Sequence, residues 1–377
     1  MTEPALTPLQ RRWMRAGFLE LVLLVAAVLA ATYGPGLITR LRGHAYPCAA
    51  CSGGADMNPT KLRPIDPFLV TYRQEAAFPL TMTRLLCLAV GPQDRIYIAG
   101  KEGIAILDSQ GKRLAMLDVP DVTCLAIGPD GLIYAGVRDH VEVLTDQGRL
   151  KAAWPTLGER AILTSIALGK DVAFLADAGN RLVWRVGPDG AVLGRIGAKD
   201  ADKHIEGFSI PSPYFDVAIA PDGLLRVADT GRHRIEAYTF DGDLEFSWGT
   251  PGSDVSNFSG CCNPANFAIF PDGRFLTAEK GIPTVKILTV DAPGPEQGKL
   301  DAVVAGPAEF AQASGQYPTA QEQVLDVAIN SAERVLVLDP AAAALRVFVL
   351  KEDAATEPAT RPTAQSGTQR IQETQRD

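Results

Sequence analysis

Residues 217–242 read VAIAPDGLLRVADTGRHRIEAYTFDG, and this stretch decides the fold. It opens on a short apolar run around Ala218. Pro221-Asp222-Gly223 follows, where Pro presets φ and Gly accepts positive φ, so the chain can reverse. An alternating run comes next, then a polar loop and a third run, and Asp241-Gly242 marks a second turn. Alternation at period two, broken by turn residues every several positions, is the signature of short antiparallel strands.

Five more stretches carry the same pattern: residues 88–112, 125–149, 166–190, 267–291 and 327–350. Each keeps an alanine at one place, giving the series Ala89, Ala126, Ala167, Ala218, Ala268 and Ala328. The spacings of 37, 41, 51, 50 and 60 residues suit a four-stranded propeller blade plus loops. The expected fold is an all-β, six-bladed β-propeller. The sixth unit lacks an outer strand, because the chain turns polar after Leu350. Residues 68–73 (FLVTYR) are strand-like, and the sequence predicts that they close the ring and remove its open edge.

Two of the units resemble the NHL-repeat family. RVADTGRHRIEAYTFDG (226–242) and FLADAGNRLVWRVGPDG (174–190) keep its Ala-Asp-x-Gly core, with Asp177, Gly179 and Arg181 in one and Asp229, Gly231 and Arg234 in the other. The resemblance spans about residues 85–350. It implies the propeller fold and a structural role for Asp177, Arg181, Asp229 and Arg234. Glu279 and Asp339 are altered versions of the acidic position, and the first two units lack it. Such propellers host enzymes and binding modules alike, so the resemblance leaves function open.

Ahead of the repeats, residues 16–38 are apolar over about the length of a bilayer core. The organisation expected is a short tail (1–15), a transmembrane anchor (16–38), a linker (39–65), the propeller (66–351, with 66–74 as its closing strand) and a disordered tail (352–377). A cleaved signal peptide is the competing reading of the apolar stretch. Uncleaved, the segment places the chain at a membrane as a single-pass protein, and either reading puts the propeller in the periplasm or outside the cell. The net charge of −8 over 377 residues, without any run of Lys or Arg, argues against nucleic acid as a partner.

In a propeller the first strands line the central channel. Two positions before each repeat alanine stand Cys87, Cys124, Ser165, Asp216, Asn266 and Asp326, an expected ring at the channel mouth. Such a ring could hold a polar ligand or a single metal ion, or could serve the backbone alone. Loops between second and third strands add His233, with His140 and Lys280, on the same face. Cys261, Cys262 and Asn263 lead into the fifth unit. Adjacent cysteines in a turn admit metal thiolates, a vicinal disulfide or unrelated thiols.

Cys48 and Cys51 form a Cys-x-x-Cys in the linker, read as a structural or redox disulfide. Six cysteines allow three pairs: Cys48–Cys51, Cys87–Cys124 and Cys261–Cys262. That usage fits an oxidising compartment. No P-loop, Gly-x-Ser-x-Gly or His-Glu-x-x-His motif is present. Three functions follow as expectations. The first is a membrane-anchored module that docks a protein or small ligand on its channel face. The second is a metal-dependent NHL-type lyase or hydrolase, and the third is a cysteine-based redox module.

Overall fold

The computed structural model describes residues 65–199, 206–260, 262–290, 298–310 and 324–352. These form six four-stranded antiparallel sheets, the blades of a propeller. Blade 1 is β2 (Cys87–Val90), β3 (Ile96–Gly100), β4 (Gly103–Leu107) and β5 (Arg113–Leu117). Blade 2 is β6 (Val122–Ile127), β7 (Ile133–Val137), β8 (His140–Leu144) and β9 (Leu150–Ala153). Blade 3 is β10 (Leu163–Leu168), β11 (Ala173–Asp177), β12 (Leu182–Val186) and β13 (Val192–Ile196). Blade 4 is β14 (Val217–Ile219), β15 (Leu225–Asp229), β16 (Arg234–Tyr238) and β17 (Leu244–Trp248). Blade 5 is β18 (Asn266–Ile269), β19 (Phe275–Glu279), β20 (Thr284–Thr289) and β21 (Lys299–Ala305). Blade 6 is β22 (Asp326–Ile329), β23 (Val335–Asp339) and β24 (Ala344–Leu350), completed by β1 (Tyr72–Pro79) from the other end of the chain.

The first strands β2, β6, β10, β14, β18 and β22 contact one another in a closed circle. Crowding at that circle explains the repeated alanine, because a larger side chain would not fit where six strands converge. The second strands are buried along their whole length in blades 1, 3, 4, 5 and 6, whereas β9 is exposed throughout and β5, β13 and β17 are exposed or half-buried up to a buried last residue. Inner strands are sandwiched between neighbouring blades, so their two faces are both apolar and their alternation is weak. Accordingly the core is not one nucleus but layers between blades. One layer joins Tyr97 and Ile104 of blade 1 to Ile133 of blade 2. Another joins Phe174 of blade 3 to Phe215 and Leu225 at blade 4.

The Pro-Asp-Gly turns are built as the sequence predicts. Gly131, Gly223 and Gly273 have φ of +80°, +82° and +91°. Each turn is tied by its aspartate, with Asp222 Oδ1 accepting from Leu224 N at 3.0 Å. A Cβ on Gly223 would meet nothing within 4 Å, so backbone conformation alone demands glycine there.

The closing strand is displaced from its expected place. Residues 67–69 form a 3-10 turn, capped by Asp66 Oδ1 accepting from Phe68 N, and Phe68 is 91% exposed. The pairing strand is β1, running from Tyr72↔Leu350 to Pro79↔Ala344 with a bulge after Gln74. Its sequence, YRQEAAFP, is polar because an outer strand buries little. The expected anchor at 16–38 lies outside the described residues. Among the described residues no helix is long and apolar enough to cross a membrane.

Candidate functional site on the channel face

The ring positions do stand at the starts of the first strands, and four of their side chains fasten one blade to the next. Asp216 Oδ2 accepts from Phe267 N of blade 5 at 2.8 Å, while its Oδ1 accepts from Ser165 Oγ of blade 3 at 2.5 Å and from Val217 N at 2.8 Å. Asn266 Nδ2 donates to Leu325 O at 2.9 Å, joining blades 5 and 6. Asp326 Oδ2 accepts from Leu88 N at 2.6 Å, joining blades 6 and 1. Carboxylates that receive backbone N–H groups in a low-dielectric channel serve as rivets.

Burial outweighs those bonds electrostatically. It pushes Asp216 up to about 6 despite three donors. It pushes Asp326 up to about 7, with the Asp216 charge as the next contribution. Both side chains keep partial exposure to the channel, so two carboxyls that titrate near neutrality face one space.

The thiol side of the ring differs from expectation. Cys87 and Cys124 are free buried thiols and not a disulfide. Burial, then the Asp326 charge, lifts Cys87 well above the usual thiol range. Burial lifts Cys124 to about 12. Its sulfur occupies the space a side chain would need at Gly136. Neither thiol is set to ionise as a metal ligand. Among the described residues no group of three or more His, Cys, Asp or Glu is placed to hold a metal ion, so the expected metal ring is not assembled there. Cys48, Cys51 and Cys261 lie outside the described residues.

The acidic positions at the ends of the second strands are structural. Asp177 is wholly buried and accepts from Ile162 N (2.9 Å), Asn180 Nδ2 (2.7 Å) and Trp184 Nε1 (2.8 Å). Asp229 accepts from Ser209 N at 3.0 Å, and Glu279 from Ser259 N at 2.8 Å. Each therefore ties down the loop leading into its own blade. The expected arginines are not their partners. Asp229 pairs with Arg232, whereas Arg234 Nε donates to Glu236 at 2.7 Å. Arg181 is exposed, away from Asp177. Blades 1 and 2 find substitutes within the following turn. Glu102 accepts from Thr83 N at 2.9 Å, and Asp139 from Thr156 Oγ1 at 2.8 Å and from His140 Nδ1 at 2.9 Å.

The turns between second and third strands each hold a left-handed residue, though not at one common position. It is Gly103 in blade 1, Gly281, two residues after Glu279, in blade 5, and Ala343, four after Asp339, in blade 6. In blades 2, 3 and 4 it is Arg138 (φ +55°), Arg181 (+56°) and His233 (+57°). Structurally, then, Arg181 corresponds to His233 and not to Arg234, one position off the sequence alignment. His233 Nε2 is 2.8 Å from Gly260 O, while Arg138 and Arg181 are exposed.

At the mouth between blades 4 and 5, Cys262 is buried with φ +115°. Asn263 is wholly buried and serves the backbone, donating to Ser259 O (2.6 Å) and Lys280 O (3.0 Å) and accepting from Lys280 N (2.9 Å). This brings Lys280 Nζ to 2.9 Å from Ser212 Oγ and 4.7 Å from the centre of the Tyr214 ring. Ser212 and Tyr214 escaped the sequence reading, their only signal being that they lie four and two positions before the ring residue Asp216. A cleft of about 380 Å³ lies at the opposite end, lined by Arg95, Tyr97, Asp130 and Asp146 among others, and holds none of these candidates.

No family model matches the chain, and no curated protein matches it. Solved structures do match its fold. A streptogramin B lyase superposes with a TM-score of 0.53 at 13% identity, covering 75% of this chain and 99% of that one. Virginiamycin B lyase from Staphylococcus aureus gives 0.52 at 15% identity, covering 74% and 100%. A gluconolactonase from Xanthomonas campestris gives 0.49 at 15% identity, covering 74% and 99%. At these identities the likeness is one of fold, and the chain is a six-bladed β-propeller with lyase and gluconolactonase structures among its neighbours.

Proposed function

We propose that this chain is an NHL-type propeller held at a membrane by residues 16–38, with the propeller outside the cytoplasm, and that its channel face binds a partner protein or a small ligand. One observation carries the reading. Arg138 and Arg181 occupy left-handed turn positions on that face, where glycine would be relaxed, and their side chains are exposed. A non-glycine residue there costs on the order of 1 kcal/mol, and such conformations cluster at functional positions. Guanidinium groups held this way favour a carboxylate or phosphate on the partner.

The ring supports the same reading, since Asp216, Asn266 and Asp326 already act as fasteners between blades. The face around the channel is then what remains for recognition. The test places a photo-crosslinking residue at Arg160 on the channel face, or at Asp189 on the opposite face, of the full chain in native membranes. A discrete product from position 160 alone supports the reading. Equal products from both faces, or none from 160, defeat it. Protease added outside intact cells should cleave the propeller, and full protection would defeat the proposed sidedness.

A second reading, an enzyme with its site in the channel, is favoured by Asp216 and Asp326, two carboxyls that titrate near neutrality across one channel. Such pairs suit general acid–base work. Turnover of a lactone or ester that disappears in Asp326→Asn would support it, and turnover unchanged in that variant would remove it.

A further inference from the structure

The contact between Lys280 and Ser212 shares the acyl substrate class of the second reading but rests on neither Asp216 nor Asp326 and is tested separately from them. Lys280 Nζ lies 2.9 Å from Ser212 Oγ, within reach for direct proton transfer. Each partner is fixed from behind. The Asn263 side chain grips both the N–H and the carbonyl of Lys280, and Asn263 is in turn held by Ser259 O. Ser212 stands between Pro211 and Pro213, in a turn where Tyr214 N donates to Ser212 O at 2.7 Å. Proline fixes φ on both sides, so the hydroxyl is presented by a stiff segment. Lys280 is 7% exposed, whereas Ser212 is half-buried and open to the channel face. The hydroxyl is therefore reachable while the amine is shielded behind it.

The geometry points to a Ser212–Lys280 nucleophilic pair that takes acyl substrates, esters or lactones, at the mouth between blades 4 and 5. Serine–lysine pairs are one of the recurring ways to activate a hydroxyl. In the first step Ser212 Oγ adds to the acyl carbon, and the hydroxyl proton passes to Lys280 Nζ, which serves as the base in its deprotonated form. The bond from the acyl carbon to the alkoxide oxygen then breaks, and the ammonium returns the proton to that oxygen. Water attacks the acyl-serine in the second step, releasing the acid and restoring the hydroxyl. The Tyr214 ring, 4.7 Å from Nζ, faces the ammonium formed in each step and steadies it.

The test treats the full-length detergent-solubilised protein with an alkyl fluorophosphonate, whose fluoride leaves as the serine oxygen bonds to phosphorus. Peptide mass spectrometry should find the adduct on Ser212, formed faster as pH rises. Ser212→Ala should abolish it. Lys280→Arg keeps the positive charge but cannot accept the proton, so labelling should fall at least tenfold while the unfolding temperature holds. Lys280→Met should fall as far. An adduct on other serines but not on Ser212, or equal labelling of Lys280→Arg and wild type, overturns the proposal. Because no partner is present, either result leaves the crosslinking test of the binding face independent.

Discussion

Lys286 Nζ lies 2.5 Å from Glu279 Oε1, with the two side chains 0% and 2% exposed. The same seven-residue step joins Asp177 to Trp184 Nε1 at 2.8 Å and Asp339 to Arg346 Nε at 2.8 Å. A carboxylate at the end of the second strand is thus closed by a donor on the third strand in blades 3, 5 and 6. In blade 4 that place is taken by Glu236, and Arg232 from the turn supplies the cation instead.

Removing one member of the blade 5 pair strands the other as a buried charge. Lys286→Met should cost about 3–5 kcal/mol in denaturant unfolding. Glu279 also holds Ser259, just ahead of Cys262 and Asn263, so the loss should loosen that loop as well. A shift below 1 kcal/mol would show that the pair is not buried as described.

The channel carboxyls give stability a pH dependence. Their folded values of about 6 and about 7 stand above the ordinary 3.8, so the folded state holds protons that the unfolded chain has released. Their contribution is fully present below about pH 3.8 and is lost as pH rises through 6 to 7. Unfolding temperature followed from pH 5 to 8 should decline less steeply in Asp326→Asn than in wild type. Parallel curves would contradict this.

Two glycines separate conformation from space. Gly223→Ala meets no neighbour but must hold φ +82°, and should cost about 1–2 kcal/mol. Gly190→Ala has φ +79° and also drives its Cβ to 2.3 Å from the Trp154 ring, so it should cost more. Equal losses in thermal unfolding would show that the Trp154 ring yields freely.

The blade count was legible because six copies of one pattern share an alanine and a turn, and steric crowding at the centre allows little else. The acidic loop ties of blades 3 to 5 were legible for the same reason. What was hidden depended on contacts between elements. Arg232 and Arg234 are near neighbours, and only the turn geometry shows that the first reaches Asp229 and the second Glu236. Phe68 looked like a strand residue, but Pro67 opens a turn there and the more polar β1 closes the ring. Cys87 and Cys124 share the ring register, yet Cys124 packs over Gly136. The Ser212–Lys280 contact joins residues 68 positions apart, beyond any local pattern.

The binding face is tested most directly by the double variant Arg138→Gly/Arg181→Gly. Glycine relieves two left-handed residues, so the unfolding temperature should hold or rise by a few degrees. Crosslinking from position 160 in native membranes should fall at least tenfold. That combination, stability kept and binding lost, is what the account predicts. Crosslinking that survives at the wild-type level in the folded double variant would contradict it.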